Sequence, residues 1–440
     1  MSLRLRTLFT QDRILGGAFI LAIGQIAASV AGLVRDRLLA QTFPGLDTVD
    51  VYIAAFRPSD LLFQIFIMAG FSATFVPLLA RYHADRNTKQ MSDLLNGVVA
   101  VSAVVFGAIA LVLGLNFRTI APLLTQFQGS SLELYIQFSR IALLTNFLFI
   151  FGNAYGQYLN TIQKYWVYGI TPVLYTVGTI LGTLYLTPII GPYGPIVGTL
   201  IGAVVYTIYR LTSIMLAGYR LAWKWWHQDL SEMGLLMIPR MLALGALQLE
   251  LLLFDRIASG LPAGSVTLNS FARNFQSVVV GATGMALALS LFSPLSQSAS
   301  QHDWKRFRLY LRKGIIFMLL FTIPGAVALV VATPVALWLI HLAPVYASAL
   351  FFCLVLYAIS IPFESLNHLF TRAFFAAKHT TIPAILTVVN GLLAIALSWY
   401  LAPHFGIFSI ALGYTIGHVA EMMGLIFFLP GEGKVRRTEF

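Results

Sequence analysis

Long apolar runs separated by short polar breaks constrain this chain more than any other feature of its sequence. A helix needs about 20 apolar residues to cross the roughly 30 Å hydrocarbon core of a bilayer. The sequence therefore predicts an all-α polytopic membrane protein with about twelve transmembrane helices. A membrane β-barrel would instead show strands of about ten residues in which apolar and polar side chains alternate. The composition agrees, because 58% hydrophobic residues and a mean hydropathy of +0.81 far exceed the values of soluble domains. The runs lie near residues 14–34, 56–80, 94–115, 134–159, 170–187, 194–217, 235–258, 266–293, 314–340, 349–376, 382–401 and 407–429.

Basic residues indicate the orientation of these helices. Lys and Arg occupy the N-terminal segment, alternate loops and the C-terminal tail, whereas the intervening loops hold almost none beyond Arg118. Because cytoplasmic loops are enriched in Lys and Arg, both termini are predicted to lie in the cytoplasm. The run at 14–34 lacks a following small-residue cleavage site, so we interpret it as a retained first helix. The net charge of +11 is spread over loops, which excludes a nucleic-acid partner.

The chain contains two copies of one pattern. Short motifs recur in the same order at offsets between 211 and 217 residues, which predicts two six-helix lobes in the same orientation. We place the N-terminal lobe at 1–217, a cytoplasmic interfacial linker at 218–234 and the C-terminal lobe at 235–440. The matching positions are Phe56 and Phe271, Pro77 and Pro294, Lys164 and Lys378, Pro172 and Pro383, and Gly194 and Gly406.

The linker between the copies combines aromatic and charged residues. Trp223, Trp225 and Trp226 stand among Arg220, Lys224 and Asp229. Tryptophan prefers head-group depth, and charges prefer water. The pattern therefore predicts an interfacial helix on the cytoplasmic surface.

Charged residues at membrane depth are the best functional signal, because such residues usually mark a substrate or ion pathway. They are concentrated between Gly32 and Pro77, a stretch that contains Arg35, Asp36, Arg37, Asp50, Arg57 and Asp60. Arg35 and Arg37 follow the first span on the outer side, where the topology bias does not place arginine. Either they act inside the protein or they extend to the outer head groups.

Three arginines form the predicted substrate site. Arg57 has Arg273 as its counterpart in the second copy, and together with Arg35 they would form a cationic pocket between the halves. A guanidinium group donates two parallel hydrogen bonds to phosphate or pyrophosphate oxygens. Asp36 and Asp50 would act as counter-charges or as a gate. The alternative is that these residues form ion pairs that only hold helices together.

The second copy adds acidic residues in the seventh run. Glu250, Asp255 and Arg256 lie there, and they suggest either a cation or proton site or a pair with an arginine of another helix. Glycines spaced by four residues are interpreted as sites of close helix packing. These are Gly152 and Gly156, Gly178 and Gly182, Gly198 and Gly202, and Gly413 and Gly417.

No catalytic constellation is present in the sequence. It lacks a phosphate-binding Gly-Lys loop, an HExxH motif and a Gly-x-Ser-x-Gly elbow. His418 and Glu421, one turn apart, are interpreted as an isolated hydrogen-bonded pair, and Cys353 as a core residue. We therefore predict a transporter without enzymatic activity, metal site or cofactor, driven by Na⁺ or H⁺ coupling, by membrane potential or by the substrate gradient.

Several motifs in order resemble the MurJ (MviN) family of lipid II flippases. They are Gly32-Leu-Val-Arg-Asp, Thr48-Val-Asp-Val-Tyr-Ile-Ala-Ala-Phe-Arg, Gly70-Phe-Ser-Ala-Thr-Phe-Val-Pro, Asp255-Arg256-Ile-Ala-Ser, Phe271-Ala-Arg and Leu291-Phe-Ser-Pro-Leu-Ser. The resemblance implies a fold shared with multidrug exporters (MATE-like) and a lipid-linked pyrophosphate glycan as substrate. It also implies cationic cavity residues at Arg35 and Arg273, with an acidic residue at Asp50.

The sequence departs from the family pattern at several positions. Phe63, Gln64 and Met68 replace a basic pair and a glutamate of the second span, and Ser29 replaces an arginine of the first. For the sodium site that some members have, Asp255 and Asn390 are the nearest candidates, and Ala394 replaces a second acid.

The resulting prediction is a monomeric flippase of the bacterial inner membrane. It would move lipid II from the inner to the outer leaflet by alternating access. The alternatives are a flippase for another lipid-linked oligosaccharide and a cation-coupled multidrug exporter of the same fold.

Overall fold

The chain folds into helices joined by short turns, with no β-strand among residues 2–222 and 224–429, which the structure describes. The structure is a computed structural model; it describes side chains from residue 16 onward except at positions 17, 18, 72, 73, 232, 235, 239 and 243. Its contacts divide the chain into two units, Met1–Leu252 and Leu253–Phe440. The all-helical class is thereby confirmed.

The first unit contains nine helices and most of a tenth, over its described residues. They are α1 Ser2–Thr42, α2 Asp47–Phe63, α3 Val76–Ala84, α4 Thr88–Leu115, α5 Phe117–Leu124, α6 Gly129–Thr161, α7 Tyr165–Leu181, α8 Thr187–Ile190, α9 Gly194–Met215 and α10 Leu230–Ala258. Three π-helical segments, Gln64–Met68, Phe71–Phe75 and Gly182–Leu186, interrupt the α-helical stretches. The unit's core is built on buried aromatic and aliphatic residues such as Phe75, Leu94 and Tyr158.

The second unit continues from the end of α10. Its helices are α11 Ser265–Val279, α12 Ala286–Ser300, α13 Trp304–Val331, α14 Thr333–Ile340, α15 Pro344–Ala376, α16 Thr381–Phe405 and α17 Phe408–Phe427. A π-helical segment, Val280–Met285, joins α11 to α12. Phe307, Leu369 and Phe374 are fully buried in its core.

Eleven helical stretches among the described residues are long and apolar enough to cross a membrane. One of them, Tyr165–Met215, has 51 residues and includes two of the predicted spans, α7 and α9. The chain reverses at Gly191, whose φ of +60° and ψ of −136° suit glycine alone. With this hairpin counted as two helices, each of the twelve predicted spans corresponds to a helix.

Small residues bring α7 and α9 into close contact. A Cβ atom on Gly178 would lie 2.5 Å from the carbonyl oxygen of Gly198 and 2.6 Å from the Cα atom of Gly202. This contact confirms the predicted packing role of these glycines. Gly152 has a different role, because a Cβ there would meet the ring of Tyr206 instead of a backbone.

The two units repeat the same unusual backbone turns. Residues with positive φ recur at offsets of 218, 216, 215 and 215, in the pairs Leu46 and Gly264, Arg86 and His302, Gln163 and Lys378, and Gly191 and Gly406. After the second pair, Asn87 and Asp303 each cap a helix by accepting a hydrogen bond from the backbone nitrogen three residues later. The two copies inferred from sequence motifs are therefore present in the backbone, but Lys378 and Gly406 align with Gln163 and Gly191, and not with Lys164 and Gly194 as the motifs paired them.

We expect Gly406→Ala to lower the thermal unfolding midpoint of the purified protein. Gly406 has φ +54° and ψ −134°, and a Cβ there would meet no atom within 4 Å, so the penalty is one of backbone conformation. Such strain costs about 1–3 kcal/mol. Gly281→Ala is the control, because that helical glycine also faces open space. Equal midpoints for the two variants would contradict the expectation.

The described part of the linker is irregular, so the predicted interfacial helix is wrong there. Helix α10 begins only at Leu230, and Trp223 lies outside the described residues. Side chains of α3 and α4 bind the segment instead: Asn96 Nδ2 donates to the carbonyl oxygen of Arg220 (3.0 Å), and Tyr82 donates to Asp229 Oδ2 (2.7 Å). Lys224 pairs with Asp93. Because these partners satisfy the segment's polar groups, it needs no helical hydrogen bonds of its own.

Tyr82 lies outside the membrane-spanning helices, beside the linker. Burial, followed by the hydrogen bond to Asp229, raises the pKa of Tyr82 above its ordinary value. The hydroxyl therefore remains protonated at neutral pH and continues to donate to Asp229.

Candidate substrate-binding and ion-coupling sites

Arg35 forms an ion pair with its neighbour Asp36 within α1. Its Nη2 and Nε atoms lie 2.7 Å and 2.9 Å from Asp36 Oδ1. Asp36 is 8% exposed, whereas the side chain of Arg35 keeps 27% of its surface. Arg35 also interacts electrostatically with Tyr52 and Tyr175. Both nitrogens of this guanidinium edge converge on one carboxylate oxygen, and such an edge can also donate two parallel hydrogen bonds to two oxygens of a phosphate.

A hydroxyl network lies beside this pair. Tyr52 is 3.0 Å from Thr199 Oγ1, which in turn is 2.7 Å from Thr179 Oγ1. These three residues come from α2, α9 and α7. The network therefore links the helix after Arg35 to the hairpin of α7 and α9.

Arg57 has a different acidic neighbour. It interacts electrostatically with Asp60, one turn further along α2, and Asp60 accepts a hydrogen bond from Asn146 Nδ2 at 2.9 Å. Pro58 lies inside α2, which continues to Phe63. Ser59 contributes by donating to the carbonyl oxygen of Phe56 at 2.9 Å.

The positions where family members carry charge in the second span are part of an apolar region. Phe63 is 7% exposed and packs in the core with Ile67. Gln64 and Met68 lie in the first π-helical segment. π-helical turns frequently occur at functional sites.

The acidic candidates are buried in three places. Asp50 is 3% exposed in the first turn of α2, where a negative charge is favoured by the helix dipole. Glu250 and Asp255 are 9% and 4% exposed on α10, where Glu250 belongs to the first unit and Asp255 to the second. Arg256 lies over the ring of Trp399 at 5.5 Å. The predicted roles of these acids stay predictions.

Arg273 lies in the second unit, on α11. Its guanidinium carbon is 5.3 Å from the ring centre of Tyr414, a cation–π geometry. Tyr414 donates a hydrogen bond to Glu364 Oε2 at 2.9 Å, and Gln276 Nε2 donates to the same oxygen at 2.6 Å. The sequence analysis did not single out Glu364, although an acid inside the apolar run 349–376 was a visible signal.

Asn390 belongs to a larger polar cluster in the second unit. Its amide nitrogen donates to Glu421 Oε2 at 2.8 Å, as does the amide of Asn367 at 3.1 Å. Thr387 donates to the other carboxylate oxygen at 2.7 Å, and His418 Nδ1 lies 3.5 Å from Glu421. The interpretation of His418 and Glu421 as an isolated pair is therefore wrong, because three further side chains bind the carboxylate.

Arg210 is a buried cation that the sequence analysis missed. It lies on α9 and is 2% exposed. Its guanidinium group donates to Thr171 Oγ1 (2.8 Å) and to the carbonyl oxygens of Gly152 (2.9 Å) and Tyr168 (3.1 Å). It also forms a hydrogen bond with the hydroxyl of Tyr206. These partners come from α6, α7 and α9. With its donors used in this way, Arg210 joins three helices, and its function is structural.

The fold is similar to that of solved membrane transporters. It superposes on an inward-facing multidrug resistance MATE family transporter of the MOP superfamily with a TM-score of 0.74, 15% identity, and coverage of 91% of this chain and 93% of the other. It also superposes on a lipid II flippase MurJ in an inward closed conformation, with a TM-score of 0.77, 21% identity, and coverage of 93% and 87%.

The sequence then identifies the family. Residues 39–438 match the family described as lipid II flippase MurJ, and the chain belongs to that family. The probable lipid II flippase MurJ of Vibrio cholerae serotype O1 is 27% identical over 338 residues, or 72% of this chain. That of Bdellovibrio bacteriovorus is 23% identical over 438 residues, covering 94% of this chain and 82% of the relative. The match to the Vibrio protein spans 63% of that relative's length.

Proposed function

We propose that the chain is a lipid II flippase of the bacterial inner membrane, moving a polyprenyl-pyrophosphate-linked peptidoglycan precursor from the inner to the outer leaflet. The family match over residues 39–438 carries this proposal. Both termini would lie in the cytoplasm, the protein would act as a monomer among membrane lipids, and the two units would alternate access to the substrate.

The partly buried guanidinium groups of Arg35, Arg57 and Arg273 support a pyrophosphate-binding role for these residues. Arg35 already directs two nitrogens at a carboxylate oxygen, Asp36 Oδ1. Removing a guanidinium group from water is costly unless a partner compensates for the lost hydration. Asp36 would therefore act as the counter-charge when substrate is absent, and a pyrophosphate oxygen would replace it when substrate binds. Asp50 would be the gate of this exchange.

The energy source is part of the same proposal. Glu250, Asp255 and Asn390 remain the cation-coupling candidates for Na⁺ or H⁺, with membrane potential as the third source. The amide nitrogen of Asn390 donates a hydrogen bond to the carboxylate of Glu421.

Expression of the wild-type chain is expected to restore growth and cell shape to a bacterium depleted of its own MurJ. The readouts are colony formation and the amount of lipid II accessible at the outer leaflet. Membrane insertion must be verified by fractionation. A correctly inserted chain that fails to rescue would contradict the lipid II assignment. It would then favour another lipid-linked oligosaccharide as substrate, whereas drug efflux without rescue would favour the exporter alternative.

A further inference from the structure

The second unit contains a mixed group of acids and imidazoles to which the sequence analysis assigned no coupling role. Glu364 and His368 lie one turn apart on α15. Glu364 interacts electrostatically with His368 and with His418 of α17. The ring centres of His418 and Tyr414 are 4.4 Å apart. Tyr414 therefore contacts both the carboxylate and one of the imidazoles.

The hydrogen bonds leave one oxygen of Glu364 available. Gln276 and Tyr414 both donate to Oε2. None of the described residues donates to Oε1. Glu364 and His368 are also only partly buried, so part of each residue's surface is accessible. A carboxylate that accepts both of its hydrogen bonds on one oxygen can accept a proton on the other.

The repeat shows that the fold does not require charge at this place. At the offset of 215 residues set by Gln163 and Lys378, Glu364 corresponds to Phe149. The ring of Phe149 packs edge-on against Tyr175 and Tyr206, with centroids 5.3 Å and 5.4 Å away. An aromatic residue fills the equivalent position of the same architecture. An acid in the membrane-spanning part of the second unit therefore has a reason other than packing.

The surroundings favour a proton over a metal ion. The described residues contain no group of three or more His, Cys, Asp or Glu side chains arranged to hold a metal. Imidazole exchanges protons near neutral pH, and Asp, Glu and His chains form the proton relays of membrane transporters.

Few other charges can compete for the proton. The residues that contribute charge near the group are Arg372 of α15, Glu421 of α17 and Arg273 of α11. On α10, Asp255 and Arg256 follow Phe254, whose ring centre is 6.4 Å from that of Tyr414. Helix α12 has no charged residue, α16 has only His404 near its end, and the basic residues of α13 are exposed.

We propose that Glu364, with His368 and His418 beside it, is a reversible proton-binding site of the second unit. The proton enters at Glu364 Oε1 and is shared with the two imidazoles, so its titration belongs to the group as a whole. This coupling role rests on the proposed flippase function: the site would let a proton gradient act on the second unit, and it assigns H⁺ among the coupling ions that the sequence left open.

Infrared difference spectroscopy between acidic and alkaline buffer tests the proposal on the purified full chain in lipid vesicles without lipid-linked substrate. We expect a protonated-carboxyl band in the wild type that disappears in Glu364→Gln and persists in Glu364→Asp. His368→Gln is expected to keep the band and to shift its midpoint by about one pH unit, the coupling expected of interacting titratable groups. Glu133→Gln is the control, because Glu133 is an exposed partner of Arg118.

Three outcomes would overturn the proposal. The first is an unchanged band in Glu364→Gln, provided that this variant elutes as the wild type does. The second is an unshifted midpoint in His368→Gln. The third is a band that responds to replacing choline chloride with sodium chloride at constant pH, which would indicate a cation site. Since no flipping is measured, these results are independent of the proposed flippase function.

Discussion

Arg35→Ala and Arg273→Ala are each expected to abolish rescue of a MurJ-depleted bacterium by this chain. Each change removes a cation that would donate paired hydrogen bonds to pyrophosphate. A hydrogen bond to a charged group contributes about 1.5–3 kcal/mol, so losing two such bonds would lower the flipping rate by roughly 30-fold or more. The measurements are colony formation after depletion and the flipping rate of a lipid-linked pyrophosphate in vesicles. Arg35→Lys should recover only part of the rate, because an ammonium group lacks the planar fork.

The control for these variants is Arg118→Ala. Arg118 also pairs with an acid, Glu133, at 3.0 Å, but the two side chains keep 77% and 50% of their surface. An exposed pair of this kind contributes about 0–1 kcal/mol, so the control should rescue as the wild type does. Rescue by Arg35→Ala and Arg273→Ala at the control's level would reject the arginine site, while leaving the family membership intact.

Gly178→Ala is expected to have the largest effect on stability. Alanine normally stabilises a helix by about 0.5–1 kcal/mol relative to glycine. At Gly178 alanine should instead destabilise the protein, because the new Cβ would lie 2.5–2.6 Å from backbone atoms of Gly198 and Gly202. Backbone cannot rotate away as a side chain can, so α7 and α9 would have to separate. The cost of such overpacking reaches about 3 kcal/mol.

The measurement is the thermal midpoint and the yield of monodisperse protein in detergent. Gly32→Ala is the matched control, since Gly32 is a helical glycine of α1 with no atom within 4 Å of an added Cβ. The control should unfold at or slightly above the wild-type temperature. A Gly178→Ala protein as stable as the control would show that α7 and α9 do not pack through these glycines.

Local composition determines the all-helical class, the positions of the membrane spans and the internal repeat. Apolar runs of membrane length have one stable solution in lipid, because helices satisfy their own backbone hydrogen bonds. The turn at Gly406 lies at a position that the repeat motifs included, whereas Gly191, which also has a positive φ, was not among those motifs. Helix ends were less predictable. Helix α13 begins at Trp304, ten residues before the apolar run at 314, because charged residues can extend a helix into water.

Tertiary contacts decided the partners of the buried polar groups. Arg210 donates hydrogen bonds to acceptors on three helices, and Glu421 accepts hydrogen bonds from side chains of α15 and α16. Neither set of partners can be predicted from the residues next to it in sequence. The linker shows the same limit, because its composition favoured an interfacial helix, whereas contacts with Asn96 and Tyr82 replaced its helical hydrogen bonds. The same physical reason applies to Arg210, Glu421 and the linker. Hydrophobic periodicity is a property of the local chain, but a buried charge is satisfied only by whatever distant residue the fold brings within hydrogen-bonding distance.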